Sequence, residues 1–329
     1  MPKSDRLLDG FRGVTEAVRL AELTGDTALR CGTTALLSYA LLWLGDLREA
    51  ERVVEQVIAL ADGDPQMGVY VNAGTSALLG VRCVVGEWVI GCTRDPERAL
   101  RELPVLRRQA EECGYPEPAL WAAWGETNLR SALGRGGIDA LVQWIAPLTE
   151  PFGVVGAVIL AATRCNALTA EHAWPAVVET GATALRLVRE RGAMHPVQPF
   201  FLAHTANAHL ELGDAQLARA DALAGVDYMR ETKSAFDPHS YAVLARAQLE
   251  LREPASEIAA TLDEYAALIE RTGFHVYEGE MHELRARLAE HEGQQTDRSA
   301  ALARARACYT RFGMTVQAAR VAEALDAAA

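Results

Sequence analysis

The stretch from Thr33 to Ala61, TTALLSYALLWLGDLREAERVVEQVIALA, restricts what this chain can become more than any other. It reads as two antiparallel helices joined at Gly45-Asp46. Leu36, Leu37, Tyr39, Leu41, Leu42, Trp43 and Leu44 make the first segment apolar almost all round, so neighbouring helices must cover it on several sides. The second segment is one-sided. Leu47, Ala50, Val53, Val54, Val57 and Ile58 step by three and four, while Arg48, Glu49, Arg52 and Glu55 take the opposite face. One such pair cannot bury both apolar faces, which makes stacked copies the solution.

The copies can be followed along the chain. Ser4 to Leu23 is amphipathic through Leu7, Phe11, Val14, Val18 and Ala21, has no partner of its own, and reads as an N-terminal capping helix within residues 1–25. Gly10 and Gly13 lie inside it and weaken it. Asp62-Gly63-Asp64-Pro65 ends the first unit. The second joins a long apolar segment, Met67 to Ile90, to a charged one, Asp95 to Cys113, with Asp95-Pro96 supplying an N-cap and a first-turn proline. A third unit spans Pro118 to Leu148, with its turn at Gly134-Arg135-Gly136-Gly137, and a fourth runs from near Gly153 to Arg191. The fifth, Val197 to Lys233, turns at Gly213-Asp214; the sixth starts at Asp237-Pro238 and turns at Arg252-Glu253-Pro254; the seventh spans His275 to Phe312. A last helix, Thr315 to Leu325, is the C-terminal cap within residues 313–329. The expected fold is all-α, a right-handed α-solenoid of about seven tetratricopeptide-like helical hairpins with a period of about 40 residues. It forms a single domain over residues 1–329, with the repeats at 26–312, and each unit contacts only its neighbours.

Bulk properties narrow the partners. A net charge of −12 repels a phosphate backbone, and the densest arginine cluster, Arg94, Arg98, Arg101, Arg107 and Arg108, is diluted by Asp95, Glu97 and Glu102, so nucleic acid is not an expected partner. Cys31, Cys83, Cys92, Cys113, Cys165 and Cys308 form no CxxC pair and read as reduced thiols on apolar faces. The start, MPKSDRLLDGFRG, has no apolar core of signal-peptide length. The longest apolar run, Gly153 to Ala162, is about ten residues, roughly half of what a membrane span needs. The expectation is a soluble, cytoplasmic protein without membrane contact.

The last unit, GFHVYEGEMHELRARLAEHEG followed by LARARACYTRFGMTVQAARVAEAL, narrows the family further. With SYALLWLGDLREA and AHLELGDAQLARA it resembles the C-terminal tetratricopeptide region of bacterial signalling proteins that carry a class III adenylate/guanylate cyclase domain and an AAA-type ATPase. The resemblance covers nearly the whole chain and implies a regulatory, protein-interaction module whose partners include cyclase or ATPase modules. It carries over neither nucleotide activity: no GxxxxGK[ST] loop is present, Lys3 and Lys233 are the only lysines, and the cyclase's metal-binding aspartates have no matching segment.

Catalytic patterns are missing as well. His282-Glu283 lacks the second histidine of HExxH because Ala286 stands there, and GTSALLG around Ser76 is not a GxSxG elbow. Glu278, Glu280 and Glu283 read as a solvated first helical turn, where carboxylates favour the helix N-terminus. The expectation is no enzyme, no metal and no cofactor. For binding, Trp121, Trp124 and Asn128 share one face of a first helix, and first helices line the concave side of tetratricopeptide arrays; His204 and Asn207 hold comparable places in the fifth unit. An asparagine both donates and accepts hydrogen bonds while an indole offers flat apolar contact, so these five are the candidate site for a peptide or an apolar small molecule; the other reading of Trp121 and Trp124 is core packing against the next hairpin. The alternative reading is a free-standing sensor that binds a peptide or small molecule there.

Overall fold

The computed structural model of the chain describes residues 3–72, 74–235 and 237–326. Residues 1–2 and 327–329, at the outer ends of the two expected caps, and residue 73, within the expected Met67 to Ile90 segment, lie outside the described residues. Among those described there is no strand, and sixteen helices follow one another, each packing on its neighbours in the manner of a helical repeat. They are α1 (Lys3–Thr24), α2 (Thr27–Leu44), α3 (Leu47–Ala61), α4 (77–93), α5 (Pro96–Glu112), α6 (Pro116–Ala132), α7 (Ile138–Ile145) and α8 (Gly153–Ala170). The second half holds α9 (Trp174–Arg191), α10 (Gln198–Glu211), α11 (Ala215–Thr232), α12 (His239–Glu250), α13 (Ala255–Thr272), α14 (Glu278–His291), α15 (Gln295–Arg311) and α16 (Thr315–Asp326). Paired as α2/α3 through α14/α15, they give seven successive helix pairs, with α1 before and α16 after.

The Gly-Asp turns work by a shared chemistry. Gly45 takes the left-handed conformation, φ 74°, and its N–H donates to the Leu42 carbonyl at 3.0 Å, closing α2. Asp46 then caps α3 by accepting from the Glu49 N–H at 3.3 Å. The fifth unit repeats this: the Gly213 N–H donates to the Leu210 carbonyl at 3.0 Å, and Asp214 accepts from the Leu217 N–H at 3.0 Å. Below the turns lie two main apolar clusters, one joining the first four units to the last helices from Cys31 to Val321, and one in the fifth to seventh units around Val226, Ile258 and Tyr265.

Two expectations need correction. Among the described residues, the segment from Met67 is not helical until Ala77, because Gly68 (φ 75°) and Gly74 (φ 86°) hold the backbone in the left-handed region. A Cβ on Gly68 would lie 2.7 Å from the Gly32 nitrogen and 2.9 Å from the Ala28 carbonyl oxygen, so this loop presses its bare backbone onto α2. α4 then starts at a Ser76 cap, whose hydroxyl accepts from the Leu79 N–H at 3.2 Å, and passes through a π turn at Val81–Gly86. Second, one helix, Glu150–Ala170, is long and apolar enough to cross a membrane by length and composition, where a run of about ten residues was expected. In the fold it is a core helix: Val158, Ile159, Ala162 and Cys165 are fully covered, and the buried Asn166 donates to the Thr127 hydroxyl of α6 at 3.1 Å.

Contacts also reach past the nearest neighbours. The first unit meets the junction of the fifth and sixth: the Ala235 N–H and the Ser234 hydroxyl both donate to the Trp43 carbonyl, at 3.2 and 3.1 Å. The second unit meets the turn between the sixth and seventh, where the Trp88 ring stands edge-on to Phe274 at 5.5 Å. Arg135, in the third unit's turn, pairs with Glu97 of the second at 2.5 Å, beside Gly313 of the turn into α16. The array therefore curls until later units cover earlier ones, and its concave side becomes the inside of a coil.

Candidate ligand cavity

Inside that coil lies a cavity of about 550 Å³. The first helix of every unit from the second onward contributes a wall residue: Trp88 on α4, Asn128 on α6, Asn166 and Thr169 on α8, His204 and Asn207 on α10, Arg246 on α12 and Glu280 on α14. The cap helix α16 adds Gln317 and Arg320, and Asp237, Tyr277 and Tyr309 come from the α11–α12 linker, the turn before α14, and α15. A space of this size suits a drug-sized molecule and is too small for a folded partner.

Of the five candidate residues, Asn128, His204 and Asn207 line this cavity. Trp121 and Trp124 sit behind the wall. Trp124 is 2% exposed and stands edge-on to Phe200 at 5.7 Å, with Trp121 at 5.4 Å on its other side and Trp43 a further 6.2 Å away. This aromatic column ties the first, third and fifth units together, because position 124 falls where α6 meets α10.

The polar wall is connected from unit to unit. The Asn166 amide donates to Asn128 Oδ1 at 2.7 Å, across 38 residues of sequence, and Arg246 Nη1 donates to Asn207 Oδ1 at 2.6 Å, across 39. Thr169 Oγ1 lies 3.1 Å from His204 Nδ1. These offsets match the repeat length, so stepping the candidate asparagines by one period finds Asn166 and Arg246, which reading each motif alone misses. Asp237, in a linker, and Tyr309, on a second helix, carry no such signal.

Charges are concentrated on one side. Arg246 also donates to Glu211 at 2.8 Å, Arg287 to Glu250 at 2.8 Å, and Arg320 and the Tyr309 hydroxyl both donate to Glu283 Oε2 at 2.8 Å. His239 Nε2 stands 3.7 Å from Glu280 Oε1, its backbone N–H donates to Asp237 Oδ1 at 3.0 Å, and its ring stacks on Tyr277 at 6.2 Å. Burial pushes the Asp237 carboxyl above the usual range, against the pull of the neighbouring His239. Burial acts on Glu280 in the same sense, but His239, Arg246 and Arg320 outweigh it and hold that carboxyl low. For His239 burial favours the neutral ring, and Glu280 and Asp237 together reverse this and raise its pKa. His204 gains no such help; burial, reinforced by the His239 charge, pushes it down to about 3, so it is neutral. Burial also lifts the Cys31 thiol to about 11 and Cys83 to about 12, which keeps both protonated and unreactive.

What fold and site define is a class: an α-helical repeat array wound around a cavity whose mixed wall carries hydrogen-bonding side chains. Compared with protein-family models and with curated proteins, the chain matches none.

Proposed function

We propose that this chain is a non-catalytic, ligand-sensing repeat module whose central cavity takes a small molecule or a very short peptide and whose outer surface passes occupancy to a protein partner. The observation that carries this reading is the convergence of hydrogen-bonding side chains from successive first helices and the cap on one cavity of about 550 Å³. A ligand touching all of them would tie together units far apart in sequence, which is what a sensor built from repeats requires. Tetratricopeptide type and a right-handed coil are part of the reading, supported by the Gly-Asp turns and the helix-pair period. So is a cytoplasmic setting, to which the free cysteines speak. The likeness of the last unit to the C-terminal region of cyclase–ATPase signalling proteins supports the second half, a module that reports to such a partner.

The test is a thermal-shift screen of the full chain against amines, carboxylates, sugars, nucleotides and di- to tetrapeptides. A ligand present at about 100 times its Kd stabilises the native state by about 2.7 kcal/mol, a readily measured rise in melting temperature. Ala132 lines the cavity, and Ala132→Trp fills part of it, so this variant should fold and lose the response. A response that survives Ala132→Trp, or a melting temperature unmoved by every class, would overturn the reading.

A further inference from the structure

The charges around the cavity do not balance. Each guanidinium on its wall is already matched: Arg246 with Glu211, Arg287 with Glu250, Arg320 with Glu283. Among the described residues, Asp237 and Glu280 have no arginine in direct contact. The His239 ring lies 3.7 Å from Glu280, longer than a hydrogen bond, and Arg246 and Arg320 act on Glu280 from further off. Asp237 has only the His239 charge and the His239 backbone N–H. Asp237 is 7% exposed, where an incompletely compensated charge is costly. Trp88 and Tyr277 also line the cavity, the Tyr277 ring stacked on His239, and aromatic rings attract cations.

Resting on the cavity being a ligand site, we propose that its ligand is an organic cation, with an ammonium or guanidinium group placed between Asp237 and Glu280 and an apolar body against the aromatic wall. The cation supplies the positive charge that the carboxylate pair lacks and gives both carboxylates a charge-assisted donor. The body fills the space toward Phe200, while Asn128, Asn166 and Asn207 hydrogen-bond polar groups at its far end. An anionic ligand would have to share an arginine already paired with a carboxylate.

Three probes of nearly equal shape decide this: 2-phenylethylamine, 2-phenylethanol and 3-phenylpropanoate, titrated calorimetrically into the full chain at low ionic strength. The amine should bind at least about tenfold more tightly than the alcohol, the carboxylate should be weakest, and Asp237→Asn or Glu280→Gln should each remove most of the amine's advantage. The order of the three probes on the unaltered chain needs no variant to fold. Preference for the carboxylate, or equal binding of amine and alcohol, overturns the charge assignment and leaves a ligand cavity standing. Binding of none of the three overturns the organic cation too, and the broader thermal-shift screen then separates a cavity that takes some other ligand from one that takes none.

Discussion

His204 joins two jobs in one side chain: it lines the cavity, and at 8% exposure it packs its ring 4.4 Å from Phe200. Its folded-state pKa, about 3, lies below the ordinary 6.5. The unfolded chain therefore binds a proton that the native state refuses. Stability from this residue is complete above about pH 6.5 and falls as the pH drops toward 3, by at most about 1.4 kcal/mol per pH unit. His204→Asn should flatten the melting-temperature profile between pH 6.5 and 4 relative to the unaltered chain; parallel profiles would show that the ring is hydrated in the native state. At this scale the candidate site was partly legible. Asn128, His204 and Asn207 sit on first helices, where periodicity says which face turns inward, but whether an inward residue meets solvent or another ring depends on what packs opposite it. Trp124 meets Phe200 of α10, and Trp121 packs between Trp124 and Trp43.

Helix existence and order follow from the three-and-four spacing of apolar residues and from the Gly, Asp and Pro turn residues between segments, and these were readable at almost every unit. The exception, the start of α4, shows the limit of that reading: the stretch around Gly68 meets α2 backbone on backbone, a contact that side-chain periodicity does not register. Gly68 and Gly10 should respond in opposite senses to the same substitution. Gly68→Ala places a Cβ at positive φ, 2.7 Å from the Gly32 nitrogen, and should destabilise by about 2 kcal/mol or more. Gly10→Ala lies in an exposed stretch of α1 with nothing within 4 Å of the new methyl, and should stabilise by roughly 0.5–1 kcal/mol. Urea titrations of both variants check this, and a neutral Gly68→Ala would mean that the loop does not rest on α2.

The coil changes how damage should spread through the molecule. Leu42 is 1% exposed on α2, so Leu42→Asp places a charge in the first unit's core at a cost of several kcal/mol. In an open array protection against hydrogen exchange would be lost in α1 to α3 alone. Here it should also be lost around Ser234 and Ala235, which donate to the Trp43 carbonyl, while α8 and α9 keep theirs. Loss confined to residues before Asp62 would show that the cross-coil contacts contribute nothing, and uniform loss would show that the chain unfolds as one block. Those same contacts were invisible in the sequence, because they depend on pitch rather than on any residue pattern. They also fix the number of units. Open arrays can gain or lose a hairpin and keep every remaining interface, whereas here the second unit's Trp88 must arrive opposite Phe274, in the turn that leads into the seventh. Excising any one hairpin between them would present each later unit to the wrong earlier one, so this chain cannot be shortened or lengthened by whole modules as other repeat proteins can.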